Sequence, residues 1–270
     1  MKIRESDIEN ILSLAREASE KIMDVYSSSR IEFTRKKDSS PLTLADKASH
    51  TVLLKGLREL FPSVPVFSEE GGRIPYAERK DWEYFWLVDP LDGTKEFISK
   101  NGEFTVNIAL VEKDKPVFGL VAVPASGTAY YALRGSGAYK KKGDRDPEKI
   151  RVREDTGGET VVARSRSHSS EIGDKIISAL GGARSLYAGS ALKFCLVAEG
   201  RADIYIRSGP TMEWDTAAGH CLIEEAGGVL RTLENTPLVY NKRNPVNPGF
   251  VSAGSSRARS LELILKELFP

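Results

Sequence analysis

The feature that most constrains this sequence is an apolar run that ends abruptly in two carboxylates. Residues 86–97 read WLVDPLDGTKEF. The residues from Tyr84 to Val88 are of types that favour a strand, and Asp89-Pro90 ends that strand. Gly93 and Thr94 then precede a short stretch that is predicted to be helical. One stretch therefore combines a strand, two aspartates, a glycine and the start of a helix.

The composition is that of an ordinary globular protein and argues against several classes of partner. Of the 270 residues 40% are hydrophobic and 29% charged, and the length permits one large domain or two ordinary ones. With 39 basic and 38 acidic residues the net charge is +1, so we expect no nucleic-acid or membrane-surface partner. No apolar stretch approaches the ~20 residues that span a bilayer, so no transmembrane segment is expected. The two cysteines, Cys195 and Cys221, are expected to be buried free thiols, which favours a cytoplasmic location.

Hydrophobic periodicity predicts two halves of different architecture. Helices at residues 8–25 and 45–60 precede a series of consecutive strands, whereas strands and helices alternate in the second half. We therefore expect an N-terminal α+β domain at residues 1–150 and a C-terminal α/β domain at residues 151–270. The very polar segment 140–148 is either an exposed hairpin tip or a loop near the domain boundary.

Asp89 and Asp92 are candidate metal ligands. Pro90 fixes the turn between them, so both carboxylates can face one point. Anionic oxygens suit Mg²⁺, which prefers near-octahedral oxygen ligation at about 2.0–2.1 Å. The alternative is an Asp-Pro turn followed by an Asp-Gly turn, with no metal.

The Gly93-Thr94 pair is a candidate phosphate-binding turn. The free N–H groups of the following helix, and the positive end of its dipole, would point toward the two aspartates. A phosphate bound there would leave its remaining charge on the metal, so the metal and phosphate hypotheses support each other. Alternatively, Thr94 is only a helix cap.

Three other polar segments offer partners for this stretch. Glu69 and Glu70 end a predicted strand, and they either contribute to a metal site or form an exposed acidic turn. Asp215 begins a predicted helix, where a carboxylate is favoured either as a ligand or as an ordinary N-cap. Thr43 and Asp46 share a face of another first helical turn. Asp46 could take a proton from a water through a hydroxyl, while Thr43 could be only the cap.

Three motifs, in this order along the chain, resemble the Mg²⁺-dependent, lithium-sensitive phosphomonoesterase superfamily that includes inositol monophosphatase and fructose 1,6-bisphosphatase. They are Glu-Glu at 69–70, Asp-Pro-x-Asp-Gly-Thr at 89–94 and Trp-Asp-x-Ala-Ala-Gly at 214–219. The resemblance spans roughly residues 8–253. It implies a layered αβαβα sandwich with both α+β and α/β character.

Further motifs are similar to one branch of that superfamily, the bacterial 3′(2′),5′-bisphosphate nucleotidases. Lys95-Glu96-Phe97 stands where inositol monophosphatases usually have Thr-Asn-Phe, and residues 101–110, 165–168 and 189–200 also match the branch. Its substrate is 3′-phosphoadenosine 5′-phosphate, a by-product of sulfate assimilation, which is hydrolysed to AMP and phosphate. The resemblance thus implies a small phosphorylated nucleotide as the partner.

The resemblance also implies a role for individual residues. Two or three Mg²⁺ ions would be held by Glu69, Asp89, the Leu91 carbonyl, Asp92 and Asp215. The metal-activated water that attacks the phosphate would be oriented by Asp46 and Thr94. The substrate would contact Glu69, Leu91, Asp92, Gly93, Thr94, His168, Ser190, Lys193, Arg207 and Asp215. Of these, the ribose and the second phosphate would meet His168, Ser190, Lys193 and Arg207.

Two competing functions stay open on the sequence alone. The same chemistry could act on inositol 1-phosphate or on a sugar phosphate. A non-catalytic nucleotide-binding relative is a more remote alternative, because such a protein would be expected to lack a metal carboxylate and this chain has all four. The protein is expected to be a monomer or a homodimer.

Overall fold

Helices and strands follow one another along the chain much as the periodicity predicts. The structure, a computed structural model, describes residues 1–28, 32–35, 41–154, 158–166 and 171–268. The helices in these ranges are α1 (Glu5–Tyr26), α2 (Leu44–Leu60), α3 (Tyr76–Arg79), α4 (Thr94–Ile98), α5 (Glu171–Ala179), α6 (Leu192–Ala198), α7 (Glu213–Glu225) and α8 (Ser255–Leu268). Single 3-10 turns are formed by Glu69–Gly71 and Pro124–Ser126.

The strands in the described ranges form two large sheets and two short ribbons. The first half contributes β1 (Phe33–Arg35), β2 (Pro41–Thr43), β3 (Val66–Ser68), β4 (Tyr84–Asp92), β5 (Thr105–Glu112), β6 (Lys115–Val123), β7 (Thr128–Leu133), β8 (Gly137–Lys142) and β9 (Glu148–Ile150). The second half contributes β10 (Val161–Ser165), β11 (Arg184–Ala188), β12 (Ile204–Arg207), β13 (Thr211–Met212), β14 (Gly228–Thr232), β15 (Val246–Asn247) and β16 (Phe250–Gly254).

The larger sheet has seven strands in the sequential order β3 to β9, and both of its faces are buried. β3 and β4 are parallel, and the remaining neighbours are antiparallel. Alternate residues of β4 point to opposite faces. Trp86 and Val88 belong to one hydrophobic core, and Phe85 and Leu87 belong to another. This two-sided burial explains why β4 is apolar at nearly every position before Asp89.

Helices α1 and α2 cover the face of this sheet that contains Trp86. α1 buries Ile11, Ala15, Ala18 and Ile22, which recur at helical spacing on one side. α2 begins after Thr43, whose hydroxyl oxygen accepts hydrogen bonds from the N–H groups of the first turn. These two helices form the first outer layer of the protein.

The second sheet has five strands in the order β11-β10-β12-β16-β14. Helices α6 and α7 pack in the same core as the Phe85 face of the larger sheet, through residues such as Phe194 and Ala218. Helices α5 and α8 pack on the outer face of the five-stranded sheet, through Ile176 and Leu265. The layers are therefore helix, sheet, helix, sheet and helix, which confirms the predicted αβαβα arrangement.

The polar segment 140–148 is the tip of a hairpin, and part of it belongs to the strands. β8 continues to Lys142 and β9 begins at Glu148, so the lysines of this segment lie in a strand near the edge of the larger sheet. Because the side chains of these lysines are polar, the segment shows no alternation of apolar residues, and the strand was not predicted there. The division into domains at residues 1–150 and 151–270 stays a prediction.

The expectation for the two cysteines is confirmed within the described residues. Cys195 and Cys221 are free and buried. No helix in these parts of the chain is long and apolar enough to cross a membrane.

Candidate active site

A β-bulge at the end of β4 sets the direction of the two aspartates. Asp89 pairs with Asn107 and Asp92 pairs with Thr105, so the step between the aspartates contains one residue more than the facing step of β5. Pro90 has no N–H to donate and is tolerated at such an interruption. A bulge bends the strand and redirects its side chains. The Asp89 carboxylate then accepts a hydrogen bond from the Leu91 N–H at 3.0 Å.

Four carboxylates from three parts of the chain are brought together here. β3 is parallel to β4, so Glu69, directly after β3, emerges at the same edge as Asp89. Asp215 enters from the first turn of α7, where its carboxylate accepts the Met212 N–H at 2.8 Å. Burial, followed by repulsion from Glu69, Asp92 and Asp215, raises the pKa of Asp89 well above its usual value. The predicted grouping of these four residues is therefore present in the fold.

The other two aspartates of this group are perturbed in the same direction. Burial and the Asp92 charge raise the pKa of Asp215 well above its usual value. Burial also raises the pKa of Asp92, although the Lys193 ammonium and hydrogen bonds from Asn107 and Ala191 oppose that rise. Carboxylates that repel one another in a buried position are stabilised by a bound cation.

The donor set fits a hard divalent cation. The four carboxylates offer anionic oxygens, and Leu91 lies between two of the aspartates with its carbonyl on the bulge. Among the described residues, no group of three or more His, Cys, Asp or Glu side chains already closes on a single ion. The fit therefore rests on the chemistry and mutual repulsion of the donors rather than on a formed ligand shell.

Asp46 lies next to Thr94, the residue with which the resemblance pairs it. One oxygen of the buried Asp46 carboxylate accepts the N–H and the hydroxyl of Thr43, at 2.7 and 2.6 Å. The other oxygen is 3.5 Å from the Thr94 hydroxyl, at the limit of a hydrogen bond. Thr43 is thus the helix cap, and it also holds Asp46 in the orientation that faces Thr94.

The turn before α4 requires glycine at position 93. Gly93 has φ +90°, in the left-handed region, and a Cβ there would lie 2.0 Å from the Ser190 hydroxyl oxygen. The first N–H groups of α4 have no intrahelical acceptor, by the geometry of any helix start. Thr94 therefore follows a tightly packed turn whose amides are suited to an anion.

A cavity of about 230 Å³ opens beside this turn. It is lined by Asp92, Gly93, Thr94, Lys95, Glu96, Ser165, Ser190, Ala191, Lys193, Phe194, Tyr205, Arg207, Thr211, Asp215, Thr216 and Phe250. Of the predicted substrate contacts within the described residues, seven line this cavity and two, Glu69 and Leu91, do not. The seven are Asp92, Gly93, Thr94, Ser190, Lys193, Arg207 and Asp215. Another predicted contact, His168, lies outside the described residues.

Lys193 is the buried cation of the cavity. Its ammonium donates to the carbonyls of Ser190 at 2.7 Å and Ala188 at 3.2 Å, and it lies over the Tyr205 ring. Burial lowers the pKa of Lys193 to about 8. Arg207 is held at the other side by the carbonyls of Gly209 and Pro210.

Several supporting residues were missed by the sequence analysis. Asn107 is fully buried in β5 and its amide approaches Asp92 at 3.4 Å. The Ser49 hydroxyl donates to the Pro90 carbonyl at 2.7 Å and so ties α2 to the bulge. A polar residue within an apolar strand, such as Asn107, is a signal that could have been used. Glu96, Ser165 and Tyr205 also line the cavity, but nothing in the sequence indicated that role.

These features place a turn suited to an anion beside clustered carboxylates in a five-layered sandwich, and the chain belongs to the inositol monophosphatase family. The sequence pattern of that family matches residues 4–267. Its members are metal-dependent phosphatases, generally with Mg²⁺. The predicted resemblance is therefore confirmed.

Particular relatives are similar over almost the whole chain. The 3′(2′),5′-bisphosphate nucleotidase CysQ of Salmonella typhimurium is 46% identical over 245 residues, which cover 90% of this chain and 98% of that protein. The protein of the same name from Escherichia coli K12 is 44% identical with the same coverage. A crystal structure of CysQ from Bacteroides thetaiotaomicron, 40% identical, gives a TM-score of 0.82 over 92% of this chain and 97% of that one.

A more distant structure supports the fold alone. An IMPase from Thermotoga maritima is 24% identical and gives a TM-score of 0.79, over 97% of this chain and 98% of that one.

Replacement of Asp89 by Asn is expected to raise the stability of the metal-free protein and to weaken its binding of Mg²⁺. Removing one of four repelling charges should raise the melting temperature in EDTA, because the buried site loses part of its repulsion. Wild-type protein should be stabilised by Mg²⁺, by about 2.7 kcal/mol at a concentration 100 times the dissociation constant, and the variant much less. Calorimetry with EDTA and with Mg²⁺ measures both effects.

Asp203→Asn is the matched control. Asp203 is also a buried carboxylate, but it accepts the Val161 N–H at 2.7 Å and pairs with Arg153 at 3.3 Å. Its loss should lower the melting temperature and leave the Mg²⁺ effect intact. Equal destabilisation in the two variants would contradict the repulsive character of the Asp89 site.

Proposed function

We propose that this protein is a Mg²⁺-dependent 3′(2′),5′-bisphosphate nucleotidase that hydrolyses 3′-phosphoadenosine 5′-phosphate to AMP and phosphate. The observation that supports it most is the cavity, whose lining combines the Gly93-Thr94 turn and two of the four carboxylates, Asp92 and Asp215, with two basic side chains, Lys193 and Arg207. Such a site suits a substrate with one phosphate to be removed and a second anionic group to be held. The relatives named nucleotidase support the same assignment.

Metal binding is assigned to the residues at the end of β4 and their neighbours. Mg²⁺, in two or three ions, would be held by Glu69, Asp89, the Leu91 carbonyl, Asp92 and Asp215. When bound, the metal lowers the pKa of water and stabilises charge on the phosphate oxygens. The chain itself supplies the orientation of the reactants.

Asp46 and Thr94 orient the attacking water. The Thr43 cap occupies one Asp46 oxygen and turns the other toward the Thr94 hydroxyl, which is 3.5 Å away. Asp46 can accept a proton from the water through that hydroxyl. The amides of Gly93 and Thr94 hold the phosphate that is released.

The rest of the nucleotide lies along the basic side of the cavity. Lys193 and Arg207 pair with the second phosphate, and Ser190 contacts the ribose. His168 is assigned to the same side on the resemblance alone. The oligomeric state, monomer or homodimer, and the cytoplasmic location stay predictions.

Phosphate release from three substrates, measured side by side with Mg²⁺ and with EDTA, tests the function. We expect kcat/KM for 3′-phosphoadenosine 5′-phosphate to exceed that for inositol 1-phosphate and fructose 1,6-bisphosphate by at least about 100-fold. Inositol 1-phosphate has no second phosphate for the two cations, and fructose 1,6-bisphosphate has no nucleoside between its phosphates. EDTA should abolish turnover. Preference for either of the other substrates would replace the assignment, and nucleotide binding without turnover would indicate a non-catalytic relative.

Two substitutions at Thr94 test the orientation of the water. Thr94→Val keeps the shape but removes the hydroxyl, and should lower kcat by about 100-fold. Thr94→Ser keeps the hydroxyl and should retain most of the rate. Stabilisation by Mg²⁺ should be unchanged in both variants, and equal rates for the two would exclude the hydroxyl from the mechanism.

The pKa of Lys193 predicts a dependence on pH. Because burial lowers the pKa of Lys193 to about 8, the ammonium is present below that pH and is lost above it. For 3′-phosphoadenosine 5′-phosphate, kcat/KM should therefore fall as the pH rises above about 8, since this parameter reports the free enzyme. Lys193→Met should have a low kcat/KM at every pH, without that descending limb. A limb that persists in Lys193→Met belongs to another group.

A further inference from the structure

A bidentate ion pair at the rim of the cavity joins two distant parts of the chain. The Arg166 guanidinium donates to both oxygens of the Glu103 carboxylate, with an Nη2–Oε1 distance of 2.6 Å and an Nε–Oε2 distance of 3.0 Å. Glu103 precedes β5 of the larger sheet, and Arg166 follows β10 of the smaller one. Fork-shaped pairing fixes orientation as well as distance. We refer to Glu103 and Arg166 as the rim ion pair.

Glu103 also holds the backbone of residues 188–190. Its Oε2 accepts the Gly189 N–H at 2.9 Å, and its main-chain carbonyl accepts the Ser190 hydroxyl at 2.7 Å. Ser190 has φ +48°, a left-handed conformation that a residue with a side chain seldom adopts without support. At Gly189 a Cβ would lie 2.6 Å from the Glu103 carbonyl oxygen, so the two segments are in close contact.

Residues 188–190 contact both sides of the substrate cavity. The carbonyls of Ala188 and Ser190 accept hydrogen bonds from the Lys193 ammonium. The Ser190 hydroxyl is also 2.9 Å from the Asp92 carbonyl and packs against Gly93. One short segment therefore sets the spacing between the phosphate-binding turn and the buried cation.

Neither member of the rim ion pair is among the residues that line the cavity. Within the described residues the pair reaches the cavity through the Glu103 contacts to Gly189 and Ser190 and through Ser165, the chain neighbour of Arg166, so both members are candidate positioning residues. An exposed ion pair ordinarily contributes little to stability, yet misplacement of a binding group by about 1 Å can lower a rate by about 100-fold. The effect of this pair should thus be seen in substrate selection more than in stability.

We propose that the rim ion pair Glu103–Arg166 is a specificity device, which holds residues 188–190 so that the site prefers a substrate with a second phosphate over one with a single phosphate. The inference rests on the proposed nucleotidase function. It adds two residues, one from each sheet layer, to those that determine which substrate is accepted.

Two substrates that differ only in the 5′-phosphate test the inference. Hydrolysis of 3′-phosphoadenosine 5′-phosphate and of adenosine 3′-phosphate is measured with Mg²⁺ for wild type, Glu103→Gln, Arg166→Gln and the double variant. For the bisphosphate, kcat/KM should fall about 10-fold, mainly through KM, while the monophosphate should change less than about 2-fold. The double variant should resemble the more impaired single variant, because both changes break one linkage.

Arg134→Gln is a matched control, because it breaks an ion pair with Glu112, which lies at the opposite end of β5 from Glu103. Arg134 pairs with Glu112 at 2.8 Å, and its side chain is 47% exposed, compared with 50% for Arg166. This variant should keep the wild-type ratio of the two kcat/KM values. Arg166→Lys, which keeps the charge but loses the fork, should lie between wild type and Arg166→Gln.

The possible outcomes separate the inference from the function on which it rests. If wild type prefers the bisphosphate and the rim variants keep that preference, or lose activity on both substrates equally, only the inference fails. If wild type hydrolyses the two nucleotides equally well, selection through a second phosphate is wrong, and the inference falls together with the proposed substrate.

Discussion

Repulsion among a buried carboxylate, Asp89, and its half-buried neighbours at the end of β4 is the interaction on which the rest of the site depends. Burial raises the pKa of the Asp89 carboxyl, and the neighbouring charges of Glu69, Asp92 and Asp215 raise it further. Charges of one sign are unfavourable in such a position unless a cation or a proton compensates them. The protein therefore maintains, by the rigidity of its layers, an arrangement that its own side chains oppose and that a divalent cation would stabilise.

The middle helical layer supplies that rigidity. α7 packs so closely on β6 that a Cβ at Gly119 would lie 2.4 Å from the Ala218 carbonyl oxygen. At the start of α7, the fully buried Glu213 accepts the Lys242 ammonium at 2.7 Å and two backbone N–H groups of the same loop. Asp215 follows two residues later, so its position is fixed from both sides. The carboxylates meet because two sheets and the helix between them are packed closely together.

Much of this could be read from the sequence, and the exceptions have a physical cause. The apolar run before Asp89, the glycine at 93 and the carboxylates at 69 and 215 are local signals, since each reflects a strand end, a turn or a helix start. The bulge at Pro90 was not predicted, because its register depends on β5. Asn107 was missed because it lies in a strand that the apolar pattern had already explained.

By itself the sequence determined which elements form and which residue types end them, and its motifs identified the family, because these are properties of neighbouring residues. Only the tertiary structure decided which of those ends meet. Glu69 reaches Asp89 because β3 and β4 are parallel, and Asp46 faces Thr94 because Thr43 occupies its other oxygen. Glu103 reaches Arg166 because the packing of the two sheets brings the start of β5 close to the end of β10. Such contacts join residues far apart along the chain, and packing alone brings them within hydrogen-bonding distance.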